Sequence, residues 1–201
     1  MLQPRVKICG ITNLQDALDA VDAGADALGF VFYPQSPRYI TPDAAVAIVA
    51  KLPPFIERVG LFVEESADDI DLICRLSRMS LAQIHFDAPS ELYEKLHTPY
   101  LRVIRARSRE DLQKEADSYR LVDAFVESYG GEGKRIESSW FEGIDCSKII
   151  LAGGLDPKNV LLLRKYGFFG YDVSSGVEKA KGKKDKMKMQ NFCKAVKYGK
   201  I

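Results

Sequence analysis

Eight short runs of apolar and β-branched residues recur at near-regular intervals, at positions 6–9, 27–32, 59–63, 81–86, 100–104, 121–126, 149–151 and 169–173. Between most of them lie segments with helical spacing, opened by Asn13, by Thr41-Pro42-Asp43, by Ser66-Ala67-Asp68-Asp69 and by Asp156-Pro157. Strands that alternate with helices imply right-handed crossovers and a parallel sheet. Eight units favour an α/β fold of the closed (β/α)8 TIM-barrel type, with a doubly wound open sheet as the other arrangement. At 201 residues the chain is short for such a barrel, so connections are expected to be tight and some helices reduced, above all between Gly133 and Lys148. No linker, repeat or break in composition divides residues 1–201, which reads as a single domain.

The balance of 29 Lys and Arg against 28 Asp and Glu gives a formal net charge of +1, with no general pull toward nucleic acid or a membrane surface. No apolar run approaches the roughly 18 residues of a membrane span, and residues 1–5 have no signal-peptide core. A cytoplasmic protein is expected. The four cysteines, Cys9, Cys74, Cys146 and Cys193, form no C-x-x-C pair and are expected to be reduced thiols. With two histidines, His85 and His97, no metal site is expected.

In a barrel the loops after the strands carry the chemistry, so strand ends are the places to read. Strand one ends in Lys7-Ile8-Cys9-Gly10, which puts a thiol at the barrel's mouth and Lys7 on the same face. Strand seven runs into Gly153-Gly154 and strand eight into Asp172-Val173-Ser174-Ser175-Gly176-Val177-Glu178. Adjacent loops of small residues let backbone N–H groups approach an anion, and the pair favours a phosphate site. Loop two, stiffened by Pro34 and Pro37, presents Arg38, whose planar fork suits a carboxylate. Gln83 and His85 share one face of strand four and could line the mouth, although a lone strand histidine is more often structural. The charge run from Lys179 to Lys188 reads as a solvated turn and helix start.

Taken in order, Lys7-Ile8-Cys9-Gly10-Ile11-Thr12, Ala27-Leu28-Gly29-Phe30-Val31-Phe32, Ser36-Pro37-Arg38, Gln83-Ile84-His85, Gly130-Gly131-Glu132-Gly133, Leu151-Ala152-Gly153-Gly154-Leu155 and the stretch from Asp172 to Glu178 resemble the phosphoribosylanthranilate isomerase family. The resemblance covers nearly the whole chain. It implies a cofactor-free Amadori rearrangement in tryptophan biosynthesis, acting on a small phosphorylated aminosugar, by a monomer or a homodimer. Cys9 matches the general base and Arg38 the residue expected to hold the anthranilate carboxylate. Gly153, Gly154, Ser174, Ser175 and Gly176 match the phosphate cradle, and Asp172 resembles an aspartate that contacts sugar hydroxyls.

The general acid departs from the family pattern, which has an aspartate ending strand six. Counting back from Gly130-Gly131 lands on Val126, and counting forward from Asp123-Ala124 lands on Ser128. Glu127 lies between them and is assigned the acid role. Asp123 is the alternative, set about four residues, or roughly 13 Å, below the strand's end. Glu132 in place of a small hydroxyl residue and Phe86 in place of a glycine are further departures. Two other readings stay open: a barrel that binds such ligands without turning them over, and a related phosphosugar isomerase acting on another aminoaldose.

Overall fold

The computed structural model describes residues 3–124 and 135–200. Eight parallel strands close into a barrel in chain order: β1 (Arg5–Cys9), β2 (Ala27–Val31), β3 (Glu57–Phe62), β4 (Leu81–Ile84), β5 (Tyr100–Ala106), β6 (Arg120–Ala124), β7 (Ile149–Leu151) and β8 (Gly170–Val173). The seam joins β8 to β1, with Asp172 opposite Lys7.

The long helices start where side-chain caps are available. Asn13 accepts from the Asp16 amide at 2.9 Å before α1 (Leu14–Asp22), Thr41 caps α2 (Pro42–Val49), and Ser66 caps α3 (Ala67–Ser77). Each cap satisfies one of the orphan amides of a first turn. The second half of the barrel is leaner. Here α4 (Ser90–Lys95) and α5 (Asn159–Leu163) are short, and single 3₁₀ turns at Glu110–Gln113 and Ser138–Phe141 stand where a longer chain would have room for full helices. The reduction expected between Gly133 and Lys148 is present among the described residues there. Asp156 caps the next turn as its position suggests, its carboxylate accepting from the Lys158 and Asn159 amides and its carbonyl from the Val160 amide, but regular α-helix starts two residues later than Pro157, at Asn159.

Period-two alternation sorts the strands into two cores. Val6, Ile8, Leu28, Phe30, Phe62, Ala82, Ile84, Val122, Tyr171 and Val173 face outward into the large helix-covered cluster. Leu101, Val103, Leu121 and Ala152 fill one part of the lumen, while Cys9, Val31, Leu61 and Val63 form a separate small cluster. Each fully buried aliphatic or aromatic side chain contributes about 1.5–3 kcal/mol, so the outer cluster carries most of the stability and the lumen has room for polar groups.

The run from Lys179 to Lys188 is not simply solvated. After a 3₁₀ turn at Ser175–Val177, β9 (Glu178–Ala180) and β10 (Lys183–Lys184) make a small antiparallel hairpin, followed by α6 (Lys186–Tyr198) capped by Asp185. The hairpin folds back over the barrel seam, and Lys184 is 1% exposed.

Candidate active site

Lys7 and Cys9 end β1 on the face that points into the lumen, as alternation requires. Gly29 of β2 lies beside both: a Cβ there would stand 2.8 Å from the Cys9 Sγ and 2.9 Å from the Lys7 Nζ. The missing side chain is therefore the space that thiol and ammonium share. Lys7 donates to both carboxylate oxygens of Asp172, at 3.0 and 3.1 Å, and both residues are buried. Burial works against the Lys7 ammonium, but Asp172 and Cys9 outweigh it, and its pKa rises. Burial also pushes the Cys9 thiol up, against the pull of the Lys7 and Lys184 ammonium groups.

Asp123 sits higher in the barrel than the sequence placed it. It pairs with Arg105, one residue before the end of β5, and its predecessor Val122 already pairs with Leu151, the last residue of β7. Asp123 is thus at the rim, and the expectation of a carboxylate four residues too deep is corrected by the register of its neighbours. Burial, then the nearby Asp172 carboxylate, pushes the Asp123 carboxyl up to about 7. His85 Nε2 lies 3.6 Å from Asp123 Oδ2, and Gln83 Nε2 lies 3.1 Å from His85 Nδ1. Burial, together with the Lys7 and Arg105 cations, holds the imidazole neutral, with its pKa down to about 3. His85 lies just past β4, its amide still donating to the Phe62 carbonyl of β3. Glu127, like Gly130-Gly131-Glu132-Gly133, lies outside the described residues.

Arg38 comes from the loop after β2 and is 8% exposed. Its Nε and Nη2 each donate to Glu178 at 2.8 Å, a side-on bidentate pair. Glu178 also accepts from Lys184 Nζ at 3.0 Å and from the Gly182 amide. The two cations outweigh the cost of burial and hold the Glu178 carboxyl below its usual range. Lys184 in turn donates to the carbonyl and hydroxyl of Ser174, which ties the Arg38 cluster to the loop after β8. Gly10, at φ 78°, lies where these meet. A Cβ there would stand 2.5 Å from Arg38 Cδ and 3.1 Å from Ser174 Oγ.

Loops seven and eight are in contact, as a phosphate cradle needs. A Cβ on Gly176 would collide with the Leu155 carbonyl, and Gly153 and Gly154 have φ of 90° and 58°. Those left-handed conformations are cheap only for glycine. Among the described residues, no group of three His, Cys, Asp or Glu could hold a metal ion.

The structure brings the buried Lys7, Cys9, Arg38, Gln83, His85 and Asp172 and the half-buried Ser174 together at the C-terminal mouth, with Gly153, Gly154, Ser175 and Gly176 on the adjoining loops. Sequence reasoning gave no role to Gly29, Arg105, Glu178 or Lys184. Glu178 stood inside the stretch quoted for strand eight, but nothing local shows that a carboxylate there reaches back 140 residues to Arg38.

The chain is similar to known proteins over nearly its whole length. The model of the N-(5'phosphoribosyl)anthranilate (PRA) isomerase family matches residues 6–195. The N-(5'-phosphoribosyl)anthranilate isomerase of a Nitratiruptor species is 61% identical over 194 residues, covering 96% of this chain and 99% of the relative. The crystal structure of phosphoribosyl anthranilate isomerase from Thermotoga maritima is similar with a TM-score of 0.89 and 39% identity, covering 96% of this chain and 98% of that one. A phosphoribosyl anthranilate isomerase in complex with reduced 1-(o-carboxyphenylamino)-1-deoxyribulose 5-phosphate is similar with a TM-score of 0.85 and 36% identity, at the same coverages.

Proposed function

The chain belongs to the N-(5'-phosphoribosyl)anthranilate isomerase family, and from that premise we propose that Cys9 and Asp123 are the base and acid of its reaction. The enzyme converts N-(5'-phosphoribosyl)anthranilate to 1-(2-carboxyphenylamino)-1-deoxyribulose 5-phosphate in tryptophan biosynthesis. Asp123 gives its proton to the furanose ring oxygen as the C1–O bond breaks, and the nitrogen lone pair forms the C=N bond of an imine. The Cys9 thiolate then removes the C2 proton, and the resulting enolamine tautomerises to the ketone.

The observation that carries this reading is that Cys9 and Asp123 flank one buried ion pair: the Lys7 ammonium beside the thiol favours its thiolate, while burial and then the Asp172 carboxylate push the Asp123 carboxyl up. A carboxyl held near 7 keeps a transferable proton at neutral pH, which is what a general acid needs. Arg38 supports the carboxylate subsite. Its side-on edge is taken by Glu178, and its end-on edge, Nη1 with Nη2, has the fork geometry that would take a second, planar anion. Gly153, Gly154, Ser174, Ser175 and Gly176 form the phosphate subsite, and Asp172 with Lys7 faces the sugar.

A small-molecule substrate is the partner. Among the described residues no helix is long and apolar enough to cross a membrane. The four cysteines are free and buried, which suits the reducing cytoplasm proposed here.

The test follows loss of anthranilate-type fluorescence as substrate is consumed, with the product confirmed by mass. Asp123→Asn lowers kcat by roughly 10²–10⁴ if it removes the general acid, while Glu127→Gln stays within a few-fold. The reverse pattern moves the acid to Glu127. Saturable binding of the reduced product analogue without turnover by the native chain would favour a binding barrel instead.

A further inference from the structure

Gln83 and His85 form a chain that ends on Asp123, and the hydrogens along it are constrained. His85 is 6% exposed and neutral, so only one ring nitrogen carries a proton. Gln83 is 1% exposed, and its Nε2 faces His85 Nδ1 while its Oε1 has no partner among the described residues. Turning the amide over would put an NH₂ group where the unpartnered oxygen now lies. A buried N–H without an acceptor is the rarer and costlier defect. Gln83 therefore donates, Nδ1 accepts, and the ring proton resides on Nε2, the nitrogen that faces Asp123.

We propose that Gln83 and His85 are positioning residues for the general acid: the Gln83 amide fixes His85 as the Nε2–H tautomer, which presents a donor to Asp123 Oδ2 and leaves Oδ1 to carry the transferable proton. The inference rests on the reading of Asp123 as the acid. The opposite tautomer would aim a lone pair at Asp123 and draw its proton away from the substrate. At 3.6 Å the pair is in contact rather than hydrogen bonded, and a small rotation of the carboxyl closes the gap. When the O–H bond breaks, the electron pair stays on Asp123 and the proton joins the ring oxygen. The new carboxylate is met at once by the imidazole N–H. The donor thus strengthens as the reaction proceeds, which places its effect in kcat rather than in substrate affinity.

With two histidines in the chain, ¹⁵N-labelled protein gives two imidazole spin systems, and His97 serves as internal reference. The expected spectrum shows His85 with a pyrrole-type Nε2 and a pyridine-type Nδ1; Gln83→Leu releases the lock and moves both signals toward averaged values. In the fluorescence assay His85→Leu lowers kcat roughly 10- to 100-fold with KM little changed, the loss of one hydrogen bond to a charged group. His85→Gln carries an amide N–H to the Nε2 position and restores kcat to within a few-fold. An Nδ1–H tautomer in the native protein, or a His85→Gln variant as slow as His85→Leu, overturns the proposal. Native-like turnover by Asp123→Asn would instead remove the acid reading while leaving the tautomer assignment intact.

Discussion

Arg38 and Arg120 are both buried, at 8% and 1% exposure, at opposite ends of the barrel, and their charges are met in different ways. Arg38 at the C-terminal mouth has a full carboxylate on its side-on edge, and its Nη1 makes no hydrogen bond among the described residues. Arg120 opens β6 at the N-terminal end and has only carbonyls: Leu112 at 2.8 Å on Nη2, and Ser118 and Ala116 at 3.2 and 3.4 Å on Nη1, with Nε unpartnered among the described residues. Burial lowers its pKa, whereas Glu178 raises that of Arg38 against the same penalty. A buried cation is therefore not in itself a sign of function. What separates the two is whether an edge of the guanidinium is left for something that is not protein. Arg120 uses both amino groups to stitch residues 112–118 onto the barrel floor.

Four measurements sharpen or break this division between a mouth built for chemistry and a floor built for stability. Cys9→Ala has the largest expected effect, a fall in kcat of about 10⁴-fold with affinity for the reduced product analogue unchanged, read by stopped assay and calorimetry. Near-normal turnover would defeat the base assignment. Arg38→Met comes next, with kcat/KM down about 10²-fold from the loss of ~3 kcal/mol of charge-assisted contact. Glu178 and Lys184 still balance each other in that variant, so its denaturant midpoint should move little; a large shift would make Arg38 a structural residue like Arg120. Arg120→Met reverses the pattern, costing about 1–3 kcal/mol in urea unfolding through the carbonyls it strands, with kcat/KM held within about twofold.

The smallest effect is in the pH profile. Asp123 loses its proton above about 7, and the Cys9 thiolate forms only above a raised thiol pKa. Between the two, loss of acid and gain of base cancel, so kcat/KM is flat there and falls about tenfold per unit outside that window. In Asp123→Asn the residual rate keeps rising with pH across the same window, because only the thiolate then titrates. A native rate that also rises there would show that Asp123 is not the proton donor.

The barrel itself was legible because its signal is repetitive: eight apolar runs with caps such as Asn13, Thr41 and Ser66 between them leave few alternatives. The residues that converge at the mouth were legible where each sits on a strand end, as Cys9 and Asp172 do. Asp123 was misjudged for a specific reason. Ala124-Phe125-Val126 continues the apolar pattern, so the strand's own sequence suggests a longer climb to the rim, whereas the rim's height at β6 is read from Ala106 and Leu151 on the strands beside it. Lys184 was misjudged because lysines in a row read as solvent-facing. Its partner Glu178 is six residues away, but the pair makes sense only once Arg38 has arrived from the far end of the chain.

That separation bears on how the molecule is made. Arg38 leaves the ribosome 140 residues ahead of the carboxylate that neutralises it, and Lys7 is 165 residues ahead of Asp172. A nascent chain that already has its first six strands holds the thiol and both early cations without their counter-ions, so burying them is still unfavourable. Closure of the seam by β8 and the β9–β10 hairpin, which only α6 follows among the described residues, is also the step that gives Lys7 and Arg38 their carboxylates. Competence for catalysis is thus coupled to synthesis through Glu178, and products of translation that stop short of it are expected to be chemically inert.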